Sequence, residues 1–86
     1  MDVTKTKRLG NGHSIEIGKA TWDNTEVSIR NRYPTSTGGF SPRSSSELPI
    51  DDVGELVTVV ADEDIYPPKR LAELIKILAE SIKRQT

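Results

Sequence analysis

The side chains of this chain best suited to chemistry lie between Lys19 and Arg43: Lys19, Trp22, Arg30, Arg32, Tyr33, Phe40 and Arg43. Cations interleaved with aromatics on a strand and its loop supply what an unpaired nucleic-acid strand needs. The cations track phosphates and the rings stack bases, each stack contributing about 1–3 kcal/mol. If about four cations (Lys19, Arg30, Arg32, Arg43) contact phosphates, log K should fall against log salt with a slope of roughly −3 for a single strand. A competing reading uses the same residues structurally. In it the arginines are solvated surface charge, Trp22 caps a hairpin, and Tyr33 and Phe40 belong to the core. Arg30 and Arg32 fit that reading least, because a paired arginine face on a strand has no obvious core role.

Other chemistries have little to work with. The chain has no cysteine and one histidine, His13. Disulfides, thiolate metal sites and cysteine nucleophiles are therefore excluded. His13 has no nearby carboxylate or second ligand in sequence to make it a catalytic or metal-binding candidate. Asp51-Asp52 reads as the capped, acidic start of a helix. Ser44-Ser45-Ser46 has no general base beside it in sequence. We expect no enzyme, no cofactor and no metal.

The 86 residues suffice for one domain. A fold this small leaves much of its surface uncovered, which favours a second copy as partner. No apolar run suggests a signal peptide or a membrane span, so the expectation is a soluble, cytoplasmic-type protein. It would be nucleoid-associated in a bacterium and nuclear in a eukaryote. The net charge of −1 conceals a division. Met1 to Ser46 holds seven Lys/Arg against four acids, and Glu47 to Thr86 holds five against nine. A polyanion would meet the first part.

The elements that must position these residues follow from local pattern. Met1 to Arg8 has no apolar periodicity and reads as a flexible basic tail, with residues 9–86 forming the domain. Leu9-Gly10-Asn11-Gly12-His13 is a turn. Ser14 to Trp22 alternates as a strand, with Ile15 and Ile17 on one face and Ser14, Glu16 and Gly18 on the other. Trp22 to Thr25 reverses the chain. Val27 and Ile29 continue the alternation, placing Arg30 and Arg32 together on the open face. Tyr33 has core parity unless a bulge re-aims it. Phe40-Ser41-Pro42-Arg43 is a candidate third strand at an edge, and Glu47 to Ile50 a brief fourth. A helical part covers 51–86. Asp51 is its N-cap, and Val53, Leu56, Val57 and Val60 share a face, although the β-branched run Leu56 to Val60 also suits a strand. Pro67-Pro68 opens a last helix whose stripe is Leu71, Leu74, Ile75, Leu78 and Ile82.

Ile15 to Gly18, a reversal, Val27-Ser28-Ile29-Arg30-Asn31-Arg32-Tyr33, a glycine-rich turn, Phe40-Ser41-Pro42-Arg43, a short strand and a helix form an ordered pattern over Leu9 to Val60. It resembles the single-stranded-DNA-binding domain of the transcriptional positive cofactor four family. That family has a long hairpin with an Ile-x-Ile-Arg-x-x-aromatic strand, a glycine turn, a Lys-Pro-Gly-Arg-like segment and a closing helix. The resemblance implies an α+β fold, a four-stranded antiparallel sheet packed on a helix, assembled as a homodimer that grips single-stranded DNA. Arg30 matches the strand arginine and Tyr33 an aromatic of the second strand. Trp22 falls near the hairpin aromatic, and Ser41-Pro42-Arg43 matches the segment that approaches the backbone. The chain departs from the family at Asn11 and His13, where the family places cations, and at the serines after Arg43, which replace a lysine.

Two functions follow. One is sequence-tolerant binding of single-stranded DNA or RNA, in transcription regulation or DNA maintenance. The other is a dimeric interaction module that docks a protein on the acidic helix 51–64, which holds six acids and no base, or on the last helix.

Overall fold

A computed structural model describes residues 1–34 and 46–86. The candidate strand Phe40–Arg43, with the site residues Phe40 and Arg43, lies outside the described residues. The chain divides into two compact units, Met1–Val53 and Gly54–Thr86.

The first unit is built on two turns. Asn11 and Gly12 have φ of 53° and 78°, and Gly10 pairs with His13. Positive φ at both central residues makes this a two-residue hairpin turn whose twist matches its strands. Gly12 is also constrained by space, since a Cβ there would lie 2.9 Å from Pro34 Cγ. The turn joins β1 (Asp2–Gly10) to β2 (His13–Lys19). In the second turn Ala20 N donates to Glu26 O at 3.0 Å. Asp23 Oδ1 accepts from Thr25 N and Oγ1 at 2.9 and 2.7 Å, a side-chain mimic of a backbone turn. Those two hydrogen bonds hold the Asp23 carboxyl below its usual range. The chain returns as β3 (Val27–Arg32) and, after the segment not described, as β4 (Glu47–Pro49).

The four strands form one antiparallel sheet in the order β1-β2-β3-β4. With the two helices that follow, this is the expected α+β fold. The first strand, however, is the segment expected to be a flexible tail. Residues 2–10 carry no apolar alternation, yet their backbone pairs with β2 from Asp2 to Gly10. A type of turn and a hydrogen-bond ladder hold this edge strand, not a buried stripe.

Register fixes two faces. Ile15, Ile17 and Lys19 lie opposite Asn31, Ile29 and Val27, with Lys5, Lys7 and Leu48 in the same rows. The other face holds Thr6 and Arg8, Ser14, Glu16 and Gly18, Ser28, Arg30 and Arg32, and Glu47. Their parities agree with the alternation, but the expected exposures are reversed. Ser14, Glu16 and Ser28 are buried, at 8%, 5% and 0% exposure, whereas Ile15, Ile17, Ile29 and Leu48 are only half-buried. The polar face is covered because its own long side chains fold across it: Arg30 and Arg32 reach Glu16, and Glu47 reaches Ser28. Ala20 is the only buried hydrophobic residue among those described.

Helix α1 (Ile50–Asp62) follows β4 directly. It begins one residue before the expected cap, so Asp51 and Asp52 sit in its first turn and complement the dipole there. The run Leu56 to Val60 is helical. The boundary between the two units falls after the first turn of α1, at Gly54. In the second unit α1 ends with Asp64 at φ 54°. Ile65 N donates to Val60 O and Asp64 N to Ala61 O, each at 3.1 Å, which satisfies two carbonyls of the last turn. Helix α2 (Pro68–Gln85) opens on Pro67, whose carbonyl accepts from Arg70 N and Leu71 N. Neither helix contains a buried residue, and neither is long and apolar enough to cross a membrane.

Candidate nucleic-acid interface

The guanidinium face is organised by one carboxylate. Glu16 stands in the central strand β2 with Arg30 directly opposite it on β3. Its Oε1 accepts from Arg30 Nε at 2.9 Å and from Arg30 Nη2 at 2.6 Å. Its Oε2 accepts from Arg32 Nη1 at 3.2 Å. The Glu16 side chain is 6% exposed, that of Arg30 17% and that of Arg32 40%. Burial pushes the Glu16 carboxyl up, but the hydrogen bonds and charges of Arg30 and Arg32 outweigh it and hold the group below its usual range. Arg30 is thereby fixed within the sheet, while the more exposed Arg32 extends toward the rim.

A second carboxylate anchors the neighbouring edge. Glu47 Oε1 accepts from Thr21 N at 2.9 Å and Ser28 Oγ at 2.8 Å, and Oε2 accepts from Thr21 Oγ1 at 2.7 Å. Desolvation raises its carboxyl, and the Thr21 and Ser28 hydrogen bonds, with the Met1 ammonium 3.9 Å away, bring the net shift below the usual range. Glu47 therefore ties β4 to β3 and to the β2–β3 turn.

Arg8 completes the face. Arg8 pairs with Ser14, and Ser14 with Arg32, so the two arginines flank one serine in a row across three strands. A polar cavity of about 310 Å³ opens there, lined by Thr6, Arg8, Ser14, Glu16 and Arg32, with Gly12 and Pro34 at its end. Two guanidinia at its sides and a hydroxyl on its floor offer donors to an anionic oxygen group, against the charge of the Glu16 carboxylate that also lines it.

The residues expected to act together are thus divided. Arg30 and Arg32 share one face, with Glu16 between them. Lys19 lies on the opposite face, in a row with Val27. Tyr33 lies beyond β3, 42% exposed, stacked on His13 with ring centroids 4.3 Å apart and planes 7° from parallel. His13 Nε2 is also hydrogen-bonded to Asn31 Oδ1. Trp22 is in the β2–β3 turn, 48% exposed, its indole N–H donating to Glu26 at 2.8 Å.

Three residues have no sequence signal that places them here. Arg8 reads as part of a basic tail, and its pairing with Ser14 brings it to the face. Glu16 alternates with Ile15 and Ile17, but its pairing with two arginines depends on register. His13 has no partner nearby in sequence, and the fold supplies one in Tyr33. Among the described residues no group of three His, Cys, Asp or Glu side chains could hold a metal ion.

Compared with known proteins, the chain matches no family model, no curated protein and no solved structure.

Proposed function

We propose that this chain binds single-stranded nucleic acid with little sequence preference, using the sheet face that carries Arg8, Arg30 and Arg32. The observation that carries this reading is the Arg8–Ser14–Arg32 row with its polar cavity. A phosphate entering there meets the Arg32 guanidinium, which Glu16 orients, and the exposed Arg8 of the edge strand. Arg30 contributes charge from within the sheet, and Trp22 offers an exposed ring at the far end of the β2–β3 hairpin for stacking. This is the activity that the resemblance to the positive cofactor four family implies, and it suits a role in transcription or DNA maintenance. A homodimer would place two such faces in one particle.

The test is fluorescence anisotropy of a labelled single strand of about 20 nucleotides at two salt concentrations, with duplex as competitor. Combined Arg8→Ala and Arg32→Ala is expected to weaken binding on the order of tenfold or more. It should also flatten the slope of log K against log salt by about 1.4, the loss of two phosphate contacts on a single strand. Binding that ignores salt, or a double variant that binds as the parent does, would overturn the proposal. A second reading, docking of a protein on the helices, is favoured by the absence of any buried residue in α1 or α2.

A further inference from the structure

The cavity beside Arg8 and Arg32 is chemically mixed. The two guanidinia only donate hydrogen bonds, the hydroxyls of Thr6 and Ser14 donate or accept, and an ionised Glu16 only accepts. The Glu16 carboxyl titrates below its usual range, so it is ionised at neutral pH. A plain anion satisfies the guanidinia but is repelled by Glu16. A ligand that suits every group carries an anionic oxygen and, beside it, a hydroxyl that donates.

The two oxygens of Glu16 are used unequally. Arg30 does not grip the carboxylate fork to fork, with one bond to each oxygen. Both of its bonds, at 2.9 and 2.6 Å, fall on Oε1. Oε2 accepts from Arg32 Nη1 at 3.2 Å, the long end of the usual range. Each carboxylate oxygen offers about two lone-pair sites, so Oε2 retains acceptor capacity. Arg8 and Arg32 line the cavity and Arg30 does not. The cavity therefore opens on the Arg32 side of the carboxylate, where Oε2 lies. The Glu16 side chain is 6% exposed, and a hydrogen bond to so desolvated a charge discriminates strongly between ligands.

Register sets donors and acceptor side by side. Arg8, Ser14 and Arg32 form one row across the sheet, and Thr6, Glu16 and Arg30 form the next. The rows are two residues apart on each strand, about 6.8 Å. A phosphate on the first row brings the sugar joined to it toward the second. The sugar–phosphate backbone of DNA has no hydrogen-bond donor, so Glu16 meets it with repulsion alone. RNA carries a 2′-hydroxyl beside every phosphate, and that hydroxyl donates.

We infer that this site selects RNA over DNA, with Arg8 and Arg32 taking a phosphate and Glu16 Oε2 accepting from the 2′-hydroxyl of the adjoining ribose. This rests on the proposed binding of single strands and names the strand that is preferred.

Fluorescence anisotropy of the full chain with three labelled strands of about 20 nucleotides tests it, at two salt concentrations. The strands are made of uridine, 2′-deoxyuridine and 2′-fluorouridine, so the base is constant. The fluoro strand keeps the sugar pucker of RNA and loses the donor. The uridine strand is expected to bind on the order of tenfold more tightly than the deoxyuridine strand, and the fluoro strand to bind as the deoxyuridine strand does. Equal, salt-sensitive binding of RNA and DNA would overturn the selection of RNA and leave single-strand binding standing. A fluoro strand that binds as RNA does would also overturn it, since pucker and not the hydroxyl would then be selected. Binding that is absent or ignores salt would remove both. Glu16→Gln is the counterpart on the protein. Its amide oxygen serves Arg30 and its NH2 takes the place of Oε2, so the acceptor is lost. Where circular dichroism shows this variant folded, its affinity for DNA should rise and the preference for RNA should collapse. A folded variant that keeps the preference would overturn the assignment to Glu16. If the variant does not fold, the three strands on the parent decide alone.

Discussion

Gly18→Ala is expected to dislodge β1 from the sheet and to lower stability by about 3 kcal/mol, the upper range for overpacking. A Cβ on Gly18 would lie 2.1 Å from the carbonyl oxygen of Asp2 and 2.8 Å from Val3 Cα. These are backbone atoms of the paired strand and cannot rotate away. Relief requires β1 to move, and the ladder is already irregular there, with a register shift between Val3 and Lys5. Thr4 Oγ1 donates to Ile17 O at 3.2 Å across that irregularity, so moving β1 also removes a side-chain bond. Restricting the unfolded chain returns only about 0.4–1 kcal/mol. Urea unfolding should show an earlier midpoint, and amide exchange should show protection lost in residues 2–6 before the rest of the sheet. Gly54→Ala is the control. A Cβ there meets nothing within 4 Å, and the helix interior should gain about 0.8–1 kcal/mol. If Gly18→Ala left the midpoint unchanged, β1 could not pass over Gly18 this closely.

The same strand shows what pattern reading reaches. The β2–β3 hairpin was legible because Ile15, Ile17, Val27 and Ile29 alternate with polar residues and a turn lies between them. The helices were legible because the stripes of α1 and α2 recur at helical spacing. β1 was not, since Lys5, Lys7 and Arg8 give an edge strand no apolar signature. Its membership depends on a turn type and on a glycine that admits close approach, neither of which alternation reports. The candidate site suffered in the same way. Parity put Arg30 and Arg32 on one face and gave Tyr33 the other. It could not show that Glu16 lies opposite Arg30, because register is a relation between strands and not a property of either. Nor could it show that the polar face would be the covered one. Long charged side chains conceal their own strand when they find partners across it, and those partners are known only once the strands are aligned.

Replacing Glu16 with Gln should separate stability from binding. The amide keeps the shape of the carboxylate but not its charge, and leaves the guanidinia of Arg30 and Arg32 without their shared counter-ion on a covered face. Breaking a buried pair costs about 3–5 kcal/mol. Because Arg32 is 40% exposed and can recover solvation, we expect a loss of roughly 2–3 kcal/mol in chemical unfolding. The pH dependence should change as well. The Glu16 carboxyl titrates below its ordinary value in the folded chain, so its contribution is complete above the unfolded value near about 4.3 and is lost as pH falls through the folded one. Glu16→Gln removes that contribution at neutral pH, and the acid limb of its stability curve should be shallower than the parent's. Glu47, which is also lowered, retains its own part of that limb. Binding should move the other way. A phosphate near Arg32 meets the negative charge of Glu16 in the parent and none in the variant. In the variant the arginines exchange an internal partner for an external one. Single-strand affinity should therefore rise several-fold, with a steeper salt dependence, under conditions where the variant is folded. If affinity instead fell along with stability, Glu16 would act chiefly by aiming the guanidinia, and their placement would matter more than their charge.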